Sequence, residues 1–210
     1  MYHRIIPLAG IVAVCLVGLT QDSLSDNDDG HSGATSSTVA RVTLRDKTSG
    51  TQPGEILDWV VKRYQQAGLQ LPDVEVVFHP AEESMEECEF HPARWTSGDA
   101  GHRIDVCTTA PESRRRLLLH ELAHAWSHEH MSESRRLAFL EVRGLKSWNG
   151  PGADWNHRGS EHAAELIKWG LNILCVPQNM LEGEEPASLD AAFVSLTGVE
   201  PLCQVPHTKV

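Results

Sequence analysis

Between Glu55 and Ala67 the apolar residues Ile56, Trp59, Val60 and Tyr64 fall one, three or four positions apart, which makes one face of a helix apolar. Gly68 follows where such a helix would stop. The rhythm then shortens. Val74–Phe78 is a compact apolar run between Pro72 and Pro80 and predicts a strand, and Arg103–Cys107 predicts a second. Beyond them helical spacing returns. Pro111 and Glu112 suit a helix start, because proline lacks the N–H that a first turn cannot use and an acid favours the positive end of the dipole. Leu118, Leu119, Leu122 and Trp126 then form a stripe that would bury this helix. Ser132 is placed to cap a helix over Glu133–Arg143 closed by Gly144, and 149–152 reads as a loop. Ser160 is placed to cap a helix to about Leu171, and Leu189–Leu196 suggests a last one. A helix, short strands and then several helices is an α+β pattern.

Ahead of this the rhythm is missing. Residues 21–52 are rich in Ser, Thr, Asp and Gly and read as a flexible linker, which leaves 53–210 as one domain. Residues 1–20 carry His3 and Arg4 before the apolar run Ile5–Leu19, the pattern of an export signal. The run is short for a span of about 20 residues, so it is either a cleaved signal or an N-terminal anchor that tethers the chain to a membrane. The expected location is secreted or extracytoplasmic. The formal net charge of −11 argues against nucleic acid as a partner. Cys15 belongs to the apolar run; Cys88, Cys107, Cys175 and Cys203 remain, an even count that suggests disulfides in an exported chain. Each of Cys88–Cys107 and Cys175–Cys203 flanks one local segment, so these two pairings are favoured, each contributing about 3 kcal/mol.

The candidate chemistry sits in the long helix. His120-Glu121-Leu122-Ala123-His124 reads H-E-x-x-H. A helix turns about 100° per residue, so the two imidazoles share a face, close enough to hold one zinc ion beside Glu121 as general base. A catalytic zinc usually takes three protein ligands and keeps one position open. Two third ligands are in view. Ser160-Glu161-His162-Ala163-Ala164-Glu165 puts Glu161 and Glu165 on one helix face. Alternatively, His120 to His130 reads H-E-x-x-H-x-x-S-x-x-H and offers His130.

H-E-x-x-H followed by a downstream helix with E-x-x-x-E resembles the gluzincin branch of zincin metallopeptidases. The text H-E-L-A-H-A-W, then R-G-S-E-H-A-A-E-L-I-K-W-G-L, is similar to small exported bacterial zinc peptidases over roughly residues 70–200. The resemblance implies a zincin-like domain: a short N-terminal sheet, the H-E-x-x-H helix and a C-terminal helical part. It implies Glu161 as zinc ligand and Glu165 as the acid that orients His120. A carboxylate in that place fixes the imidazole tautomer and raises its basicity. The His130 alternative resembles the metzincin pattern, except that Ser127 stands where that family has a helix-breaking glycine. Among nearby residues, His157, Arg158 and His162 are candidates to stabilise an oxyanion, His128 reads as a solvent-facing neighbour, and Arg114–Arg116 as a solvated turn. The expected function is an exported zinc-dependent hydrolase acting on a peptide or protein substrate. The competing class is a zinc-containing binding domain without turnover at the cell surface.

Overall fold

The structure, a computed structural model, describes residues 41–48, 52–80, 84–108, 110–150 and 153–203. The expected signal or anchor lies outside the described residues, as does most of the expected linker. The end of that linker is a correction. Val42–Asp46 forms a strand, β1, so the fold starts ahead of Pro53. Its alternation of Val42 and Leu44 with Thr43 and Arg45 is too short to stand out from the polar tract around it. It is held by pairing with a strand far along the chain, which no local pattern announces.

Helix α1, Gln52–Gln66, follows and buries Ile56, Leu57, Val60 and Tyr64. Three more strands complete the sheet: β2 at Val74–Phe78, β3 at Ala93–Gly98 and β4 at Gly101–Val106. A single turn of helix, α2 at Ser84–Glu87, lies between β2 and β3. The strand order is β1-β2-β4-β3. β1, β2 and β4 run parallel, and β3 folds back antiparallel on β4 as an edge strand. β3 was not expected from the sequence. Its residues are small or polar around one tryptophan, and the turn at Gly98–Gly101 was its main signal.

Helix α3, Pro111–His130, is the centre of the described fold. Leu118, Leu119, Leu122, Ala123 and Ala125 are completely buried and Trp126 nearly so, which covers most of its circumference. Burying each of the three leucines contributes about 2 kcal/mol. The helix packs against the sheet, α1 and a later helix, α5 (Gly159–Leu171), its most extensive neighbour. The Tyr64 hydroxyl donates to Leu119 O at 2.8 Å, tying α1 to the middle of α3. The arginine run at its start is not a solvated turn. Arg114 is buried, donates to Thr108 O and lies over the Phe78 ring, and Arg115 lies over Trp59.

The remaining helices are α4 at Glu133–Arg143 and α6 at Pro186–Thr197. Ser132 caps α4 by accepting from Arg135 N–H, and Gly144 closes it in the left-handed conformation. The chain is thus an α+β fold with a four-stranded sheet. The cysteines pair as Cys88–Cys107, joining the segment after α2 to the end of β4, and Cys175–Cys203, joining the loop after α5 to the chain beyond α6. Two disulfides suggest an oxidising, extracytoplasmic compartment. Among the described residues no helix is long and apolar enough to cross a membrane.

Candidate metal centre

The site forms where α3 and α5 cross. His120 and Glu121 sit at the buried middle of α3, and His124 follows one turn later, partly buried. The start of α5 is fixed by a close approach. Gly159 N–H donates to Ser147 O at 3.0 Å and Ser160 N–H to Trp148 O at 3.1 Å. A Cβ on Gly159 would stand 2.4 Å from Leu140 Cδ2 and 3.3 Å from Ser147 O, so a larger residue would fit only if Leu140 or this end of the helix shifted. Ser160 is not the cap: α5 begins at Gly159, and the serine hydroxyl bonds the Asn149 side chain instead. Held this way, α5 presents Glu161 and, one turn on, Glu165 to α3.

His120 Nε2 lies 3.1 Å from His124 Nε2 and 3.2 Å from Glu161 Oε2, and His124 Nε2 lies 3.4 Å from the same oxygen. Ligand atoms about 2.0–2.1 Å from a tetrahedral cation stand about 3.3 Å apart. The triangle therefore fits one face of such a shell, and His120, His124 and Glu161 could together hold a metal ion. Burial works against charge on His120, but Glu161, Glu165 and Glu121 outweigh it and raise its pKa to about 9. Glu161 also resists burial: its contacts with His120 and His124 hold its carboxyl far below the usual range. The pocket is thus built to favour positive charge at its centre.

Behind the triangle, Glu165 Oε1 lies 2.9 Å from His120 Nδ1, off the straight line of the N–H. Lys168 Nζ donates to Glu165 at 2.6 Å and Asn179 Nδ2 at 3.1 Å, so the carboxylate is gripped from three sides. Burial opposes its charge, yet His120 and Lys168 bring its pKa to about 2. On the open side, Trp95 N–H of β3 donates to Glu121 Oε2 at 2.9 Å and sets the direction of that side chain.

A cleft of about 380 Å³ opens over His120, Glu121, His124 and Glu161. A second cavity of about 510 Å³ reaches His120 and Glu121 from the side of Arg116, Glu165 and Lys168. Glu121 therefore stands between two spaces. The Trp95 ring stacks on His124 at 5.8 Å, and Trp155 stacks on His120 at 6.4 Å.

His130 is not brought to this place, which corrects the alternative ligand. α3 runs unbroken through Ser127 to His130, because serine does not supply the break that glycine would, and His130 ends exposed against Trp126. Of the oxyanion candidates, Arg158 lines the cleft, whereas His157 is exposed and paired with Asp154. His162 is buried elsewhere and donates from Nε2 to Asn156 O at 2.8 Å. His128 lines the cleft at its rim. It belongs to a second group, with His102 and Glu129, whose ligand atoms converge. Trp95 Nε1–H donates to His102 Nδ1 at 3.2 Å, so the neutral ring carries its proton on Nε2, the atom that faces Glu129 at 3.6 Å. A metal would find no lone pair there. Trp95, Trp155 and Lys168 were not foreseen as site residues. The spacing of Lys168 from Glu165, three positions on a helix, was a signal in the sequence, whereas the Trp95 contact is made by its backbone and had none.

Comparison with protein-family models, curated proteins and solved structures finds no match, so the reading of the site rests on its own geometry.

Proposed function

We propose that this protein is an extracytoplasmic zinc-dependent hydrolase that cleaves peptide bonds, with a gluzincin-like site in a zincin-like fold. The observation that carries the reading is the convergence of His120 Nε2, His124 Nε2 and Glu161 Oε2 beside Glu121 in an open cleft. Two imidazoles and one carboxylate are a donor set that suits zinc and leaves a position free. Bound there, zinc would lower the pKa of a water toward about 7 and polarise the scissile carbonyl.

The chain's own residues supply the rest. Glu165 keeps the ring proton of His120 on Nδ1, which leaves the Nε2 lone pair aimed at the centre. Lys168 and Asn179 hold Glu165 in that task. Trp95 N–H fixes one oxygen of Glu121, and the other is free to take a proton from water and pass it to the leaving nitrogen. β3 is an edge strand on the wall of the cleft, so an extended peptide can pair with its free backbone groups and run across Glu121 from one space to the other.

The test is cleavage of a blocked peptide pool by the full, zinc-loaded chain, followed by mass spectrometry. The reading expects cleavage that chelator stops and added zinc restores. A zinc-loaded parent that cuts nothing, or whose cutting is indifferent to chelator, contradicts it.

A further inference from the structure

The charge of the cleft runs against the charge of the chain. The formal net charge is −11, yet the carboxylates lining the two cavities are Glu121, Glu161 and Glu165, each already committed at the centre. Around them stand arginines without acid partners. Arg136 lies over the Trp148 ring at 5.4 Å, and its polar contacts go to Ser127 O and His128 O, at the end of α3. Its Nε is buried with no hydrogen-bond partner. Arg158, exposed beside the start of α5, spends only Nε, on Ala153 O at 3.1 Å. Arg116, on the second cavity, bonds only the neutral Gln178. Among the described residues none of the three is paired with a carboxylate, whereas Arg94, at the same rim, is tied to Glu89.

We infer that the cleft selects peptides bearing aspartate or glutamate on either side of the cleaved bond, an inference that deepens the hydrolase reading and rests on it. Arg158 keeps both Nη groups, a planar donor pair that matches a carboxylate, and Arg136 keeps Nη1 as a single charged donor. A cationic cleft in an acidic protein focuses the field on anionic substrate while the remaining surface repels it. Stacking on Trp148 holds Arg136 in place before substrate arrives, so little order is lost on binding. Arg136 and Arg158 serve the first cavity, Arg116 the second, so acidic residues are accepted on both sides of Glu121.

The test uses the full, zinc-loaded chain carrying Glu121→Gln and measures binding by tryptophan fluorescence. Two blocked peptide pools are compared, identical except that Asp and Glu in one are Asn and Gln in the other. The acid pool is expected to bind about tenfold tighter, the worth of a charged hydrogen bond. Arg158→Gln and Arg136→Gln should each cut that ratio by about threefold, and Arg158, on the surface, keeps the test readable should Arg136→Gln fail to fold. The preference should also shrink in high salt. An amide pool bound as tightly as the acid pool overturns the inference. So does a phosphoserine pool that displaces the acid pool at a tenth of its concentration, because the site would then be one for phosphate. An intact acid preference in a chain whose parent cleaves nothing supports the inference and counts against the hydrolase reading alone.

Discussion

Among the described residues, His79 and His120 are buried histidines that meet carboxylates, and they differ in what is left over. In the sheet, His79 Nε2 lies 2.6 Å from Asp105 Oδ1, and Lys47 Nζ faces its Nδ1 at 3.4 Å. Arg103 donates to both oxygens of Asp105, at 2.7 and 2.9 Å. Every acceptor there faces a donor. Between α3 and α5 the balance is reversed. Two imidazole nitrogens and one carboxylate oxygen point at one spot, with a second carboxylate behind. Residue type alone does not separate the two clusters. A surplus of lone pairs aimed at one point, beside an open cleft, makes the second a group that could hold a cation, while the first is a closed structural lock.

The largest contrast is in chemistry. Glu121→Gln should keep zinc bound and lower kcat by about a thousandfold, since a general base contributes on that scale. If this variant cleaves as well as the parent, Glu121 is not the base. Next comes the support of His120. Glu165→Gln should weaken zinc binding by about ten- to a hundredfold in competition with a chromophoric chelator. An unchanged affinity would show that the Glu165 contact orients nothing.

The sheet cluster should behave in the opposite way. Asp105→Asn leaves Arg103 and His79 without their acid and should cost about 2 kcal/mol in denaturant unfolding, with zinc content unchanged. Zinc loss in this variant would erase the distinction between the clusters. The smallest effect is in pH. Burial pushes Asp105 up, but hydrogen bonds from Arg103 and His79 outweigh it and hold the carboxyl below its ordinary value of 3.8. A lowered folded pKa means stability that is fully present above the unfolded value and is lost as pH falls through the folded one. The stability gap between parent and Asp105→Asn should therefore narrow on acidification below about pH 4. A gap that stays constant into acid would mean the ion pair adds nothing.

The same division governs what could be read before the fold was known. The helix pair is written in short-range spacing. His120 and His124 are four apart, as are Glu161 and Glu165, and helical geometry turns each pair onto one face with no further information. Leu118, Leu119 and Leu122 announce the burial of the same helix. What no local pattern carries is the distance bridged by the sheet. His79 and Asp105 are 26 positions apart and meet only because β2 and β4 pair. β1 and β3 were missed for this reason, and with β3 the N–H of Trp95 that aims Glu121. Arg136 escaped notice because its place on the cleft depends on how α4 packs against Trp148.

The proposed function stands on one zinc site made by His120, His124 and Glu161. Elemental mass spectrometry of the full chain, disulfides formed, beside Glu161→Ala and His130→Ala, tests it most directly. One zinc per chain is expected in the parent and in His130→Ala, and little in Glu161→Ala. A parent that takes up no zinc even after reconstitution, or zinc lost in His130→Ala and kept in Glu161→Ala, would contradict it.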